Sequence, residues 1–161
     1  MPRLALGMSL ALLLALSAVP PASADPVSPQ QRQVDAVLAA HPGGTQTGPG
    51  TISWDDGATV LTLVDPDDPD DPATRSVGSC ATGAYCAYNA VSLTGSRLSF
   101  TTCDTTVSLA ALPGDVRSLA NARSTGYVQG RTASGTTLTT VSAGGRVNSA
   151  PAGVEQLRCV G

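Results

Sequence analysis

The sequence predicts an all-β fold: two hairpin-and-return units packed face to face, preceded by a short helix and a β-hairpin leader. Three observations carry this. First, Cys80 to Cys103 (CATGAYCAYNAVSLTGSRLSFTTC) reads as a hairpin clipped at its base, with one strand at Cys86-Ala87-Tyr88, a turn from Asn89 to Gly95 and a return at Arg97-Leu98-Ser99-Phe100. Second, the chain repeats itself. Pro113-Gly114-Asp115-Val116-Arg117-Ser118-Leu119 aligns with Pro151-Ala152-Gly153-Val154-Glu155-Gln156-Leu157 at an offset of 38, Tyr88 with Tyr127 at 39 and Leu98 with Leu138 at 40. One such unit cannot bury its apolar face alone, so the repeat predicts two Greek keys packed together. Third, helical spacing is confined to one short stretch, Arg32 to Ala40, with apolar residues at Val34, Val37 and Leu38.

Residues 1–24 read as a secretory signal peptide: Arg3 gives the charged start, Leu4 to Leu16 an apolar run, and Ala22-Ser23-Ala24 a cleavage site. Residues 25–64 form the leader. Asp25 to Gln31 is expected to lack structure, and His41-Pro42-Gly43-Gly44 ends the helix. Thr51 to Trp54, the turn Asp55-Asp56-Gly57 and Ala58 to Val64 read as a hairpin, because Asp-Gly suits positive φ. A two-stranded ribbon is marginal alone, so it should dock on the main domain or on the helix. Residues 65–79 open with DPDDPDD and read as an acidic, Pro-rich, extended linker. The main domain is 80–161.

In an exported chain four cysteines read as two disulfides with three possible connectivities. We favour Cys80–Cys86 as a local clip and Cys103–Cys159 as a long closure. Charge is uneven. Residues 25–79 hold nine Asp against Arg32 and Arg75, a balance of −7; residues 80–161 hold six Arg against Asp104, Asp115 and Glu155, a balance of +3. That is too weak a footprint for nucleic acid. No second apolar run is long enough for a membrane span, and a monomer is expected.

Chemistry-bearing motifs are absent. There is no G-x-S-x-G, H-E-x-x-H or phosphate-cradling loop, and His41 is the only imidazole. A nucleophilic serine therefore has no histidine base, and the paired carboxylates lie only in the linker and the Asp55-Asp56 turn. No enzyme activity and no cofactor are expected. DPDDPDD lacks the glycine and distal glutamate of a calcium loop.

Tyr88, Leu93 and Gly95 fall on an aromatic-x4-aromatic-x-Gly signature, with leucine in the second aromatic place. Here the chain resembles β/γ-crystallin Greek keys. With the export signal and the Cys-x5-Cys opening, it looks like the secreted peptidase inhibitor family typified by the Streptomyces metalloproteinase inhibitor. The resemblance implies a β/γ-crystallin-like sandwich, an extracellular protease as partner, and inhibition by docking a loop in the protease cleft. The family carries its reactive bond in a disulfide-clipped loop after the second-unit tyrosine. Here that place holds Tyr127, Val128, Gln129, Gly130, Arg131 and then Thr132 to Gly135, with no cysteine. Either these residues, Tyr127 to Gly135, or the clipped loop Ala81 to Tyr85 is the expected contact, with Tyr85 as the anchor of the latter by its place inside the Cys80–Cys86 loop. Crystallin calcium sites would fall at Asp115 and Ser118, which keep only part of the motif. The alternative is an extracellular structural or envelope-associated protein that inhibits nothing.

Overall fold

The computed structural model describes residues 27–65 and 80–161. The expected signal peptide and nearly all of the acidic linker lie outside the described residues. Helix α1 (Pro29–Ala40) begins earlier than expected, because Ser28 accepts the Gln31 amide on its Oγ and Pro29 presets the backbone of the first turn. Residues 28–31 are therefore part of a capped helix, a correction to the expectation that they lack structure. His41 ends the helix, its amide donating to the Val37 carbonyl.

Three leader strands follow: β1 (Thr45–Gly48), β2 (Thr51–Trp54) and β3 (Thr59–Thr62). The turn between β2 and β3 takes φ of 52°, 52° and 94° at Asp55, Asp56 and Gly57, a left-handed conformation that Asp and Gly tolerate best. The main region supplies β4 (Tyr85–Tyr88), β5 (Arg97–Phe100), β6 (Thr106–Ser108), β7 (Ser118–Asn121), β8 (Tyr127–Arg131), β9 (Thr137–Ser142), β10 (Arg146–Val147) and β11 (Gln156–Val160).

These strands build two antiparallel sheets, ordered β1-β2-β3-β5-β4-β7-β10 and β6-β11-β8-β9. The fold is all-β with one short helix. With β4–β7 as one unit and β8–β11 as the other, each third strand lies in the other unit's sheet: β6 beside β11, β10 beside β7. The leader joins the larger sheet through β3, whose Thr59, Val60, Leu61 and Thr62 pair with Phe100, Ser99, Leu98 and Arg97.

One row crosses that sheet as Ile52, Leu61, Leu98, Ala87 and Leu119. All five are buried and share one core with Val34 of α1 and with Val128, Val141 and Leu157 of the smaller sheet. Register explains the row: residues paired directly across neighbouring strands point to the same face. The opposite face is also covered at β4, where Leu93 packs with Cys86, Tyr88 and Ala120 in a second cluster. Cys80 is bonded to Cys86 and Cys103 to Cys159.

The register corrects one part of the repeat. Ser118 and Gln156 correspond at the offset of 38; Ser118 faces Tyr88, whereas Gln156 faces Arg131. Arg131, not Tyr127, therefore occupies the place of Tyr88 in the second unit. Tyr127 stands at the other end of β8, opposite Val160.

Candidate functional site

In the first unit the connection from β4 to β5 folds back over the sheet. Ser92 and Leu93 take φ of 58° and 61°, and Gly95 takes 78°. This drops Leu93 onto Tyr88, and both are almost completely buried. Ser118 fixes the fold-over from below: its hydroxyl accepts the Leu93 amide at 2.9 Å and donates to the Ala90 carbonyl at 2.6 Å. Ser118 is thus buried, with its hydroxyl occupied in holding the fold-over. Asp115 is exposed, and among the described residues no group of three or more His, Cys, Asp or Glu side chains converges.

In the second unit the corresponding connection is shorter, Thr132 to Thr136. Arg131 lies beneath it, its guanidinium 3.5 Å from where a Cβ on Gly135 would stand. Hydroxyls and backbone order this turn. The Thr132 amide donates to the Thr136 carbonyl and the Gly135 amide to the Thr132 carbonyl, both at 2.9 Å. The Thr136 amide reaches the Thr132 hydroxyl at 3.1 Å, that hydroxyl meets the Ser134 hydroxyl at 2.9 Å, and Gln156 Nε2 donates to the Ala133 carbonyl at 3.3 Å. Ala133 and Ser134 project from it, exposed. The sequence carries this signal in Thr-x-Ser-Gly-Thr, since side-chain hydroxyls mimic turn hydrogen bonds, and Thr132 to Gly135 are the part of the expected contact that is a turn.

Two expected contacts are corrected. Tyr127, Val128, Gln129, Gly130 and Arg131 are not a loop. They form β8, which lies between β11 and β9 with both edges paired and with Val128 and Gly130 facing inward. Tyr85 is not an exposed anchor. It is 0 % exposed, stacks on Phe100 at 5.4 Å between ring centroids and donates its phenol to the Thr102 carbonyl at 2.9 Å. Burial pushes its pKa up to about 12, opposed in part by the Arg123 charge and the Thr102 contact. Within the clipped loop the exposed residues are Ala81, Thr82 and Gly83. The Gly83 amide donates to the Ala122 carbonyl and the Ala84 amide to the Ala81 carbonyl.

A cleft of about 330 Å³ opens beside the second-unit turn, between Ala133, the Ser108–Val116 connection and Val154–Gln156, with Asp115 and Glu155 among its walls. A more apolar cleft of about 430 Å³ lies where the leader meets β6, walled by Trp54, Phe100 and Val107. His41 borders it and accepts the Trp54 indole N–H on its carbonyl at 3.2 Å.

Residues 73–134 match the family model for peptidase inhibitor family I36. No curated protein and no solved structure matches the chain. The matched segment spans β4 to β8 and ends inside the Thr132–Thr136 turn. It agrees with the resemblance carried by Tyr88, Leu93 and Gly95. It supports a peptidase-inhibitor function with a protease as partner, a role that calls on binding rather than catalysis.

Proposed function

We propose that this protein is a secreted peptidase inhibitor that docks the β8–β9 turn, Thr132 to Thr136, in the cleft of a metalloprotease. The observation that carries the reading is a turn with Ala133 and Ser134 exposed, held by hydrogen bonds of its own and by Gln156, in a chain that matches an inhibitor family over residues 73–134. A segment ordered before binding loses less freedom on association, and hydroxyls here do what a disulfide clip would do. Ala133 and Ser134 offer main-chain groups and small side chains to a cleft that binds extended segments. The disulfides fit an oxidising, extracellular setting, in keeping with removal of residues 1–24 on export.

A second reading places the contact at Ala81-Thr82-Gly83. It rests on their exposure within a covalently clipped loop. The experiment is a titration of the purified, oxidised protein against a thermolysin-type metalloprotease, with a subtilisin-type serine protease in parallel. Stoichiometric inhibition of the metalloprotease, weakened by replacing Thr132–Thr136 with a Gly/Ser segment, is the expected result. Unchanged inhibition after that swap excludes the turn. No inhibition at micromolar concentrations, with the protein itself uncleaved, overturns the inhibitor reading in favour of an extracellular structural role.

A further inference from the structure

Four strands stand at the edges of the two sheets, and three are guarded as edges usually are, by shortness, charge, irregular register or proline. β10 is two residues long and carries Arg146; β6 has three residues. β1 breaks register between Gln46 and Gly48, the Gln46 amide side chain donates to the Gly48 and Pro49 carbonyls, and Pro49 follows directly. β9 is the least guarded of the four: its one irregularity is at Leu138, which the ladder skips between the Gly130–Thr139 and Arg131–Thr137 pairs. It is six residues long, Thr-Leu-Thr-Thr-Val-Ser, without charge, proline or glycine.

The ladder shows which of its amides are free. The Ala143 amide donates to the Gly126 carbonyl, in register with the β8–β9 pairs. Antiparallel alternation then turns the Thr139 and Val141 amides toward β8 and the Thr140 and Ser142 amides outward. Among the described residues no group accepts from these two. Two of the exposed large apolar side chains flank the same edge: Tyr127, 39 % exposed, opposite Ser142, and Leu138, 37 % exposed, at the other end.

We propose that β9 pairs antiparallel with β9 of a second copy of this chain, joining two four-stranded sheets into one. A twofold axis through Thr140 sets Thr140 against its own copy and Leu138 against Ser142 of the other chain. In that register the Thr140 amide of each copy meets the Thr140 carbonyl of the other, and each Ser142 amide meets the Leu138 carbonyl of the other; the Ser142 carbonyl is already engaged, accepting the Gly145 amide at 2.8 Å. An uncharged strand suits a symmetric partner, because an isologous contact sets like against like. The same axis brings Leu138 of one copy to the end where Tyr127 of the other stands one strand further in, across the small Ser142. This departs from the monomer expected from sequence, and it is independent of inhibition.

Sedimentation velocity of the oxidised full-length mature protein across the micromolar range tests the pairing, since association is concentration-dependent. The expected wild-type mass rises from one chain to two, while the exchange of the Thr140 and Ser142 amides slows with concentration. T140P removes an outward donor at an edge position that tolerates proline, and should stay at one chain, with the melting temperature that wild type shows at dilutions where it too is one chain. T140K keeps the backbone donor but sets two ammonium groups across the axis, and should also stay at one chain; it decides the matter where T140P does not fold. A single-chain mass at every concentration, or a dimer that T140K leaves as tight as wild type, overturns the proposal.

Discussion

Replacing Gly95 with alanine separates the folded-over hairpin from an ordinary turn. Gly95 has φ of 78°, and a Cβ there would collide with Asn89 Oδ1 and stand 2.9 Å from Ala90 Cβ. The left-handed backbone costs alanine about 1 kcal/mol. Relieving the collision moves Asn89, whose Nδ2 donates to the Pro113 carbonyl at 2.9 Å; losing that bond costs about another 1 kcal/mol. Residual crowding against Ala90 brings the expected loss to about 2–4 kcal/mol. Gly114 supplies the control, because it has the same φ of 78° but nothing within 4 Å of the added Cβ. G114A should lose only the backbone part, about 1 kcal/mol. For a chain of this size each kcal/mol lowers the melting temperature by about 3–4 °C, so calorimetry and urea unfolding of the oxidised proteins resolve the two. Equal losses in G95A and G114A would refute the close packing of this hairpin.

Three further outcomes are expected. Removing Cys103–Cys159 should cost more than removing Cys80–Cys86, about 4 against about 2 kcal/mol in the loop-entropy model, because the sequence separations are 56 and 6; urea midpoints of the two double-serine variants decide it. Tyr85 should make the fold alkali-sensitive. Its folded pKa of about 12 exceeds the ordinary value of about 10, so the folded state keeps the proton longer. The associated stability is fully present below pH 10 and falls by up to about 1.4 kcal/mol per pH unit as pH rises toward 12; Y85F should lack this slope. Finally, L61A should cost about 2–5 kcal/mol and shift the whole unfolding transition, since Leu61 of the leader is fully buried against the main core. A separate leader transition, with the main one unmoved, would contradict the shared sheet.

Much of the fold was legible because short-range chemistry wrote it. Asp55-Asp56-Gly57 marked the leader hairpin at its true place, and the spacing of Tyr88, Leu93 and Gly95 marked the fold-over. Both depend on residues that tolerate positive φ. What depends on distant pairing was not legible. Nothing local tells β3 to pair with β5, because Thr59 to Thr62 fits any half-buried edge. β1, Thr-Gln-Thr-Gly, carries no apolar pattern and is held by its neighbour alone. Tyr127 misled for a related reason. It resembles Tyr88 in type and spacing, but equivalence between units is set by register across the sheet, which assigns that place to Arg131. Tyr85 misled because a clipped loop suggests exposure, whereas the clip here ends on an inward-facing strand position beside Phe100.

The two candidate contacts differ in how their rigidity is achieved, and that difference can be used. Both adjoin interior strands: Ala81–Gly83 leads into β4, paired by β5 and β7, and Thr132–Thr136 leaves β8, paired by β11 and β9. Each turn therefore stands on a fixed base, as a preorganised binding element requires. The first is closed by Cys80–Cys86, the second by the Thr132 and Ser134 hydroxyls. A C80S/C86S variant loosens only the first; T132A/S134A loosens only the second. If Thr132–Thr136 is the contact, T132A/S134A should weaken protease binding several-fold through faster dissociation, because restraint lost in the free inhibitor must be restored in the complex. C80S/C86S, provided it remains folded at the assay temperature, should then bind as wild type does. The reverse pattern would move the contact to Ala81–Gly83. Equal weakening in both variants would mean that the turns act only through the stability of the sandwich, and neither would then be the inhibitory element.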